Sequence, residues 1–265
     1  MGEPPDPGAD ALVAVVFDVD GTLADTERDG HRVAFNRAFE ELGLPDRWDV
    51  ERYGELLAIT GGRRRLRAHL GGRGVPEPEL DELVPRLHVR KTELFLRLVA
   101  DGHVDARPGA AALLDDLEAA AVRLAVATTG TRDWVVPLLG RLFGPDRFEV
   151  VVAGDEAPER KPDPSAFTMA LERLGVPASG AAAVEDSHNG VVAAAAADLA
   201  CAVVVNDYTR HQDLAGADLV LDGFGTPEAP AQVLRDPHHL DPPGRLDGAT
   251  LARLVAARGR GRLLP

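Results

Sequence analysis

Short apolar runs recur along the chain, and most of them are followed by a segment with helical spacing. The runs are Ala11–Phe17, Val122–Thr128, Phe148–Gly154, Gly180–Asp186 and Cys201–Asn206. They are continuous rather than alternating, which is typical of strands in a parallel sheet with both faces covered. A sixth run, Ala217–Gly223, is interpreted as a final edge strand. Because strands and helices alternate from about Val122 onward, the pattern predicts the α/β class with a doubly wound, Rossmann-like parallel sheet.

The segment 26–102 breaks this alternation, because none of its runs reads as a convincing strand. Its apolar residues recur instead at helical spacing, in two stripes. The stripes are Phe35, Ala38, Phe39 and Leu42, and then Leu80, Leu83, Val84 and Leu87. Such spacing is typical of amphipathic helices that pack against one another. The pattern therefore predicts a helical domain inserted after the first strand.

These patterns divide the chain into four parts. We expect a leader at 1–10, an α/β core built from 11–25 and 103–224, the helical insertion at 26–102, and a C-terminal extension at 225–265. The extension is rich in proline and glycine, which favour turns and loops. One short stretch within it, Ala249–Ala257, has helical spacing.

Composition limits the partners that the chain can bind. Its 265 residues carry a formal net charge of −14, so nucleic acid and anionic membranes would repel it. A local basic site would still allow a phosphorylated metabolite to bind. The single cysteine, Cys201, excludes an internal disulfide and suits the reducing cytosol. We expect a cytoplasmic monomer with neither nucleic-acid nor membrane partners, since no apolar run approaches the roughly 20 residues that span a bilayer.

Residues suited to phosphate chemistry follow four of the predicted strands. In α/β sheets, ligands gather beyond the carboxyl ends of the strands. The residues at these positions are Asp18 and Asp20, Thr128 and Thr129, Lys161, and Glu185 and Asp186. Like charges as close as Asp18 and Asp20 repel each other, and burial increases the repulsion. A cation is therefore expected beside them.

Two converging pairs of carboxylates favour Mg²⁺, a hard ion that prefers oxygen ligands. A carboxylate beside that ion can attack phosphorus and form an aspartyl phosphate, and a hydroxyl and a lysine can stabilise charge on the phosphoryl oxygens. Taken singly, the later motifs have other interpretations. Glu185 and Asp186 also suit a helix N-cap, and Lys161 also suits a solvated surface position. The order of all four motifs favours catalysis.

The motifs together resemble those of the haloacid dehalogenase superfamily. "DVDGT" followed by Thr, Lys and Glu-Asp at later strand ends carries the resemblance, and the helical insertion is similar to the C1-type cap of that superfamily. Within it, "TLADTERDGHRVAFNRAFEELGL", "ELLAITGGRRRL", "HVRKTELF", "RLAVATT" and "VEDSHNG" resemble the CbbY-type branch, near beta-phosphoglucomutase. The resemblance covers roughly Val13 to Asp222. It implies an α/β core with a cap and a Mg²⁺-dependent phosphatase that removes the 1-phosphate of xylulose 1,5-bisphosphate, an inhibitor of Rubisco.

The resemblance also implies roles for residues of the core. Asp18 would be the nucleophile and a Mg²⁺ ligand. Asp20 would protonate the leaving alkoxide, activate the attacking water and give its backbone carbonyl to the metal. Lys161 would bridge Asp18 and the transferring phosphoryl group. Glu185 and Asp186 would complete the metal site.

Phosphate-binding and substrate-binding positions follow from the same resemblance. Thr128 would bind the transferring phosphoryl group with help from the backbone amides of Thr129 and Gly130. Lys91 matches a lysine that grips the distal phosphate. The other matching positions are Glu27, His31, Thr60, Gly61, Gly62 and Arg63. The run Arg63–Arg65 also suits the solvated face of a helix, and His31 also suits a helix cap.

The sequence leaves other functions open. Beta-phosphoglucomutase shares the aspartyl phosphate but passes the phosphoryl group to a sugar hydroxyl instead of water. Phosphoglycolate phosphatase is a further alternative, which the "TGGR" and "HVRKTE" runs make less fitting. A protein of another class, a silent phosphate-binding module, would keep the fold without the chemistry.

Overall fold

The computed structural model describes residues 11–59 and 61–262, with only the backbone for 260–262. The predicted leader at 1–10 and the candidate substrate residue Thr60 lie outside the described residues. The described chain forms two compact units. The first contains the residues up to Ala24 and from Ala106 onward, and the second is Asp25–Asp105. The two connections between the units pair with each other through an antiparallel bridge of Ala24 and Ala106.

The first unit contains a sheet whose described strands lie in the order β3-β2-β1-β4-β5-β6-β7. The strands are β1 Ala14–Phe17, β2 Arg123–Ala127, β3 Val150–Val152, β4 Ala181–Glu185, β5 Ala200–Val204, β6 Leu219–Leu221 and β7 Val233–Arg235. Strands β1 to β6 are parallel to their neighbours, and β7 is antiparallel to β6. The prediction of a doubly wound parallel sheet is confirmed.

The second unit is helical throughout its regular described structure. A π-helical turn at Thr26–His31 leads into α1 Arg32–Glu41, followed by α2 Val50–Leu57, α3 Gly62–Gly72 and α4 Glu77–Ala100. Its core contains Phe35, Phe39, Trp48 and Tyr53, all buried. Their rings lie close together, with centroids 4.8 Å apart for Phe35 and Trp48 and 4.9 Å apart for Phe39 and Trp48. These four aromatic side chains therefore form one packed cluster in the core of this unit.

Helices cover both faces of the sheet in the first unit. They are α5 Ala110–Ala119, α6 Arg132–Phe143, α7 Ser165–Leu174, α8 His188–Ala196 and α9 Gly248–Arg262. Helices α7 and α8 close one apolar layer against alternate residues of β1 to β5, among them Val16, Ala183 and Val203. Helix α5 packs on β2, and α9 packs on β4, β5 and α5. In the part of the chain that the structure describes, every helix is too short or too polar to span a membrane.

The C-terminal segment contributes to the first unit. Strand β7 lies beyond β6, so the prediction that Ala217–Gly223 forms the edge strand is wrong. Strand β7 escaped prediction because it has only three residues, Val-Leu-Arg, which are too few to show the pattern of a strand. Asp218 on the core side binds two residues of the segment, the guanidinium of Arg258 at 2.6 Å and the imidazole of His238 at 3.2 Å. These contacts and α9 attach the segment to the sheet.

The strand order indicates which edge of the sheet can hold a ligand-binding site. Strand β1 lies between β2 and β4, so the chain runs outward from β1 on one side and returns on the other. In open α/β sheets, this reversal of strand order opens a crevice at the carboxyl ends of the strands. The residues after β1, β2 and β4 meet at this crevice.

Candidate active site

Three buried carboxylates converge where β1 and β4 end. Oxygens of Asp18, Glu185 and Asp186 all lie within 4.8 Å of one another. At most 6% of any of these residues is exposed, so water cannot screen their charges. A cluster of hard oxygen donors that carries several negative charges fits Mg²⁺ well, because the ion supplies the compensating positive charge.

Lys161 supplies part of the compensation from the loop after β3. Its Nζ donates to Oδ1 of Asp18 at 2.8 Å and also to Oε1 of Glu185. The ammonium group lies 4.6 Å from the centre of the Phe167 ring, and only 5% of the side chain is exposed. Lys161 therefore is no solvated surface lysine, and its charge is fixed between two of the three acids.

Burial dominates the electrostatics of this cluster. Desolvation raises the pKa of Asp18 to about 7, with Lys161 opposing the shift and Glu185 adding to it. Desolvation, followed by repulsion from Glu185 and Asp18, holds the pKa of Asp186 well above its ordinary value. Desolvation opposes the charge of Lys161, but Asp18 and Glu185 outweigh it and raise the pKa of that lysine. Without a further cation, burial and mutual repulsion therefore favour the protonated forms of Asp18 and Asp186.

Helix α8 begins beside Glu185 and fixes its carboxylate. Oε2 of Glu185 accepts from the backbone N–H of Asp186 at 3.0 Å and from the hydroxyl of Ser187 at 3.2 Å. A Cβ at Gly190, in the first turn of α8, would lie 1.9 Å from the Glu185 carboxyl carbon. Only glycine fits at this position. Ser187 also accepts from the Gly190 N–H, so the predicted N-cap belongs to Ser187 and not to the acids.

Asp186 is held by residues from two other segments. Nδ2 of Asn206, just after β5, donates to its Oδ2 at 2.7 Å, and the Thr22 hydroxyl lies 3.4 Å from its Oδ1. Gly21 has φ of +79°, and a Cβ there would lie 2.6 Å from Oδ2 of Asp186. The Gly-Thr turn after Asp20 therefore allows the loop to approach Asp186 closely.

The segment after β2 provides the predicted phosphate-binding groups. Thr128 is buried, and its Oγ1 accepts from the Gly130 N–H at 3.0 Å. Because this bond uses the oxygen as an acceptor, the hydroxyl proton remains able to donate. Thr129 is half-buried, and the Gly130 carbonyl accepts from the Gly154 N–H at 2.7 Å. This last hydrogen bond connects the segment after β2 to the segment after β3.

Asp20 lies in the same loop as Asp18. It is half-buried and forms a bridge with Ala24. Its carboxylate is outside the group of three acids described above. The acid-base role of Asp20 and its backbone contact to a metal stay predictions.

In the second unit, Lys91 and His31 lie together. Nζ of Lys91 is 2.9 Å from Nδ1 of His31 and about equally far from two ring centres, 5.0 Å from Phe35 and 5.1 Å from Phe95. The His31 ring lies against Phe95, with centroids 3.8 Å apart. Burial, then the charges of Lys91 and Arg65, lower the pKa of His31 well below its ordinary value. Neutral His31 therefore accepts from the Lys91 ammonium, and its side chain does not cap α1.

Glu27 belongs to a second chain of contacts in this unit. The Tyr53 hydroxyl donates to Glu27, and the Arg65 guanidinium donates to that hydroxyl at 3.2 Å. Nε of Arg65 donates to the Leu56 carbonyl at 3.0 Å. The interpretation of Arg63–Arg65 as a solvated face is wrong for Arg65, which is buried, because that residue is on the inner face of α3.

The remaining predicted substrate residues surround the start of α3. Gly61 is exposed with φ of +92°, and Arg63 is exposed. Gly62 lies against His88, since a Cβ at Gly62 would be 3.1 Å from that ring. Burial, followed by the charges of Lys91 and Arg63, lowers the pKa of His88 to about 4. Positive charges thus lie near both His31 and His88.

Comparison with known proteins agrees with this geometry. A family model described as haloacid dehalogenase-like hydrolase matches residues 12–198. The chain belongs to the haloacid dehalogenase-like hydrolases. Protein CbbY of Cereibacter sphaeroides is 46% identical over 219 residues, which cover 80% of this chain and 93% of the relative. The chain is therefore a phosphatase of this family.

Solved structures of this hydrolase family share the fold. A mutant of CbbY from Rhodobacter sphaeroides, in complex with xylulose 1,5-bisphosphate, is 42% identical with a TM-score of 0.67, covering 80% of this chain and 94% of its own. Beta-phosphoglucomutase of Clostridium difficile is 21% identical with a TM-score of 0.60, covering 80% and 91%. At that identity the second likeness shows the fold alone.

Sequence reasoning missed several residues that build the site of this hydrolase. They are Thr22, Arg107, Ser187, Gly190 and Asn206. Asn206 ends a predicted strand, so the rule that located the acids also reaches it. Arg107 follows no predicted strand, and the sequence carries no signal for its contacts.

Proposed function

We propose that this phosphatase hydrolyses a sugar bisphosphate such as xylulose 1,5-bisphosphate through an aspartyl phosphate, with Mg²⁺ as cofactor. The observation that carries the proposal is the environment of Asp18. A buried carboxylate held by Lys161 at 2.8 Å, among acids that need a divalent cation, suits attack on a phosphate group. The same groups would make a poor site for mere phosphate binding, because the acids repel an anion.

The first chemical step forms a bond between a carboxylate oxygen of Asp18 and phosphorus. The bond between phosphorus and the sugar oxygen breaks, and Asp20 donates a proton to that oxygen. Lys161 and the hydroxyl of Thr128, with the amides of Thr129 and Gly130, stabilise the negative charge on the phosphoryl oxygens. Catalysis of this kind rests on positioning and electrostatics more than on covalent chemistry from other groups.

The second step hydrolyses the aspartyl phosphate. Asp20, now deprotonated, takes a proton from a water molecule that attacks phosphorus, and Asp18 leaves as a carboxylate. Asp18, Glu185 and Asp186 are the residues that would hold Mg²⁺, with the backbone carbonyl of Asp20. The bound ion supplies positive charge that keeps Asp18 ionised and lowers repulsion between the nucleophile and the phosphate.

We also propose that the second compact unit acts as a cap that selects the second phosphate. Lys91 and Arg63 are cations of this unit, and the similar CbbY was solved with a bisphosphate. Glu27, with Gly61 and Gly62, would contact the sugar. Thr60 is also proposed to contact the sugar, and this proposal rests on the sequence alone. The proposed division of the chain is a core at 11–25 and 103–224, a cap at 26–102 and a C-terminal extension at 225–265.

A phosphate-release screen over sugar monophosphates and bisphosphates tests the proposal. We expect Mg²⁺-dependent release, with xylulose 1,5-bisphosphate turned over at a higher kcat/KM than xylulose 5-phosphate or phosphoglycolate. The Asp18→Asn variant, assayed in parallel, controls for contaminating phosphatases. A preference for monophosphates would contradict the bisphosphate assignment.

The same screen separates the mutase alternative. Incubation with β-glucose 1-phosphate and a trace of glucose 1,6-bisphosphate yields glucose 6-phosphate if the chain transfers the phosphoryl group to a sugar. We expect free phosphate and no isomerisation above background. Isomerisation faster than phosphate release would overturn the phosphatase outcome while leaving the aspartyl phosphate intact.

A further inference from the structure

A buried arginine connects the loop of Asp18 to the end of β5. The Arg107 guanidinium donates to three backbone carbonyls, those of Gly21 at 2.7 Å, Val204 at 2.8 Å and Val205 at 2.7 Å. Its backbone N–H donates to Leu23 at 2.9 Å. A planar group with fixed donors can bind three acceptors in one geometry only. Arg107 therefore fixes the distance between the loop and β5.

Asn206 extends this connection to an acid of the metal cluster. Its Nδ2 donates both to the Gly21 carbonyl at 3.1 Å and to Oδ2 of Asp186 at 2.7 Å. The Gly21 carbonyl thus accepts from Arg107 and from Asn206. Since both donors and Asp186 lie in the first unit, the network belongs to one compact body.

The orientation of the Asn206 amide follows from its other contacts. Oδ1 accepts from the backbone N–H groups of Tyr208 at 2.9 Å and Thr209 at 3.2 Å. A flipped amide would point its NH2 group at these two N–H donors and its oxygen at two acceptors, the Gly21 carbonyl and Asp186. The turn after β5 therefore aims the donor end of Asn206 at Asp186.

We propose that Asn206 and Arg107 are positioning residues of the metal site. Asn206 binds one carboxylate oxygen of Asp186 and so fixes the direction of the other. Arg107 holds the Gly21 carbonyl, which keeps Asn206 and the loop of Asp18 in register with Asp186. This inference rests on the metal site of the proposed function, and it adds residues to it that donate no ligand themselves.

The physical reason is that outer contacts orient metal ligands. Losing such a contact typically weakens metal binding about 10–100-fold. Asp186 rotated out of place would still carry its charge but would lose its alignment with Asp18 and Glu185. The cost should fall on metal affinity more than on the stability of the metal-free protein.

Calorimetric titration of Mg²⁺ into the full chain, without substrate, tests the inference. We expect Asn206→Ala to raise the Mg²⁺ Kd about 10–100-fold and Arg107→Lys to raise it about tenfold. Hydrolysis of p-nitrophenyl phosphate should recover toward the wild-type rate at saturating Mg²⁺ in both variants. A residue with a merely structural role would not show this recovery.

Thr209→Val is the matched control. The Thr209 hydroxyl accepts from the Asn206 backbone N–H at 3.0 Å, so the variant perturbs the same turn without removing the bond to Asp186. Its Mg²⁺ Kd should stay within twofold of wild type, even if its Tm falls. Melting of the metal-free variants monitors folding, and the milder Asn206→Ser replaces Asn206→Ala if that variant is unfolded.

The outcomes separate this inference from the proposed function. If the wild-type chain binds Mg²⁺, and the Mg²⁺ Kd of Asn206→Ala and of Arg107→Lys stays within twofold of the wild-type value, Arg107 and Asn206 are not positioning residues. Equal weakening in Thr209→Val would also overturn the inference, because general loosening of the turn would explain the loss. A wild-type chain that binds no Mg²⁺ would instead contradict the metal site itself.

Discussion

The two compact units both bury charged side chains, but they stabilise them in different ways. In the first unit, Lys161 lies between Asp18 and Glu185, and opposite charges compensate each other directly. In the second, the Lys91 ammonium lies near two aromatic rings and a neutral histidine. Burying a charge without compensation costs several kcal/mol. The first arrangement suits the formation of new bonds to phosphorus, and the second suits the binding of an anion.

This difference follows from how each unit positions side chains. In a parallel sheet, the end of each strand is fixed by its hydrogen-bonded neighbours, so that Asp18 and Asp186 must meet once β1 and β4 pair. In a helical bundle, the meeting of two residues depends on the rotation of each helix. The core site is therefore set by topology, and the cluster around Lys91 is set by packing.

The largest expected effect comes from removing the nucleophile. Asp18→Asn should lower phosphatase turnover by at least about 10⁴-fold, because loss of a nucleophile removes the covalent route. Phosphate release with p-nitrophenyl phosphate measures it. The exposed Asp133→Asn is the matched control and should keep wild-type activity. A variant at Asp18 that retains a tenth of the rate would rule out this assignment.

The raised pKa of Asp18 predicts how stability depends on pH. The pKa is about 7 in the folded chain against 3.8 for the ordinary group, so the folded state binds the proton more tightly than the unfolded state. The metal-free protein should therefore lose stability as pH rises from about 4 to about 7, on the order of 2–4 kcal/mol.

Urea unfolding across this pH range measures the effect, with and without Mg²⁺. Mg²⁺ should reverse the loss above pH 7, because metal binding requires the ionised carboxylate and releases protons. The metal-free Asp18→Asn variant is the control and should show a weaker dependence. Stability of the metal-free wild type that rises steadily from pH 4 to 7 would contradict a buried cluster whose negative charge Lys161 compensates only in part.

Removal of the buried ammonium tests the second unit. Lys91→Met should lower kcat/KM for xylulose 1,5-bisphosphate about 100-fold, since it removes a charged contact to the distal phosphate. The rate with p-nitrophenyl phosphate should change less than about threefold. Arg64→Met, on the exposed side of α3, is the control. Equal losses on both substrates would show that Lys91 supports the fold and not the selection of substrate.

The smallest effect on activity is expected from a change at Tyr53, which contacts Glu27. Tyr53→Phe removes a hydroxyl that donates to Glu27 and accepts from Arg65. We expect KM for the bisphosphate to rise about tenfold with little change in kcat, because the bond orients a binding group and not a reacting one. The same substitution at Tyr208, in the first unit, should leave KM unchanged. A loss confined to kcat would place Glu27 in the chemistry.

The sequence predicts much of the core site and little of the contacts that support it. Asp18, Lys161 and Asp186 follow apolar strands, and the parallel sheet brings the ends of such strands together. Asn206 ends a strand as well, but an amide has no distinctive chemistry until its partner is known. Arg107 contacts backbone carbonyls, which no sequence pattern reveals.

Helix rotation explains the errors in the second unit. Arg64 and Arg65 are neighbours of the same type, yet Arg64 is exposed and Arg65 is buried against Tyr53. Adjacent residues on a helix are separated by about 100° of rotation, so a shift of one position can move a side chain from the exposed face to the buried face. Charge alone predicts that both side chains are exposed to solvent, but Arg65 packs against Tyr53 and is buried.

The central claim is that Asp18 becomes phosphorylated, and rapid acid quenching tests it most directly. Wild-type protein is mixed with Mg²⁺ and p-nitrophenyl phosphate that carries a radiolabelled phosphoryl group, and then quenched within milliseconds. We predict a protein-bound label that is removed by hydroxylamine and maps to the peptide containing Asp18, with none in Asp18→Asn. Wild-type protein that releases phosphate without any such label, or a label that persists in Asp18→Asn, would contradict the account.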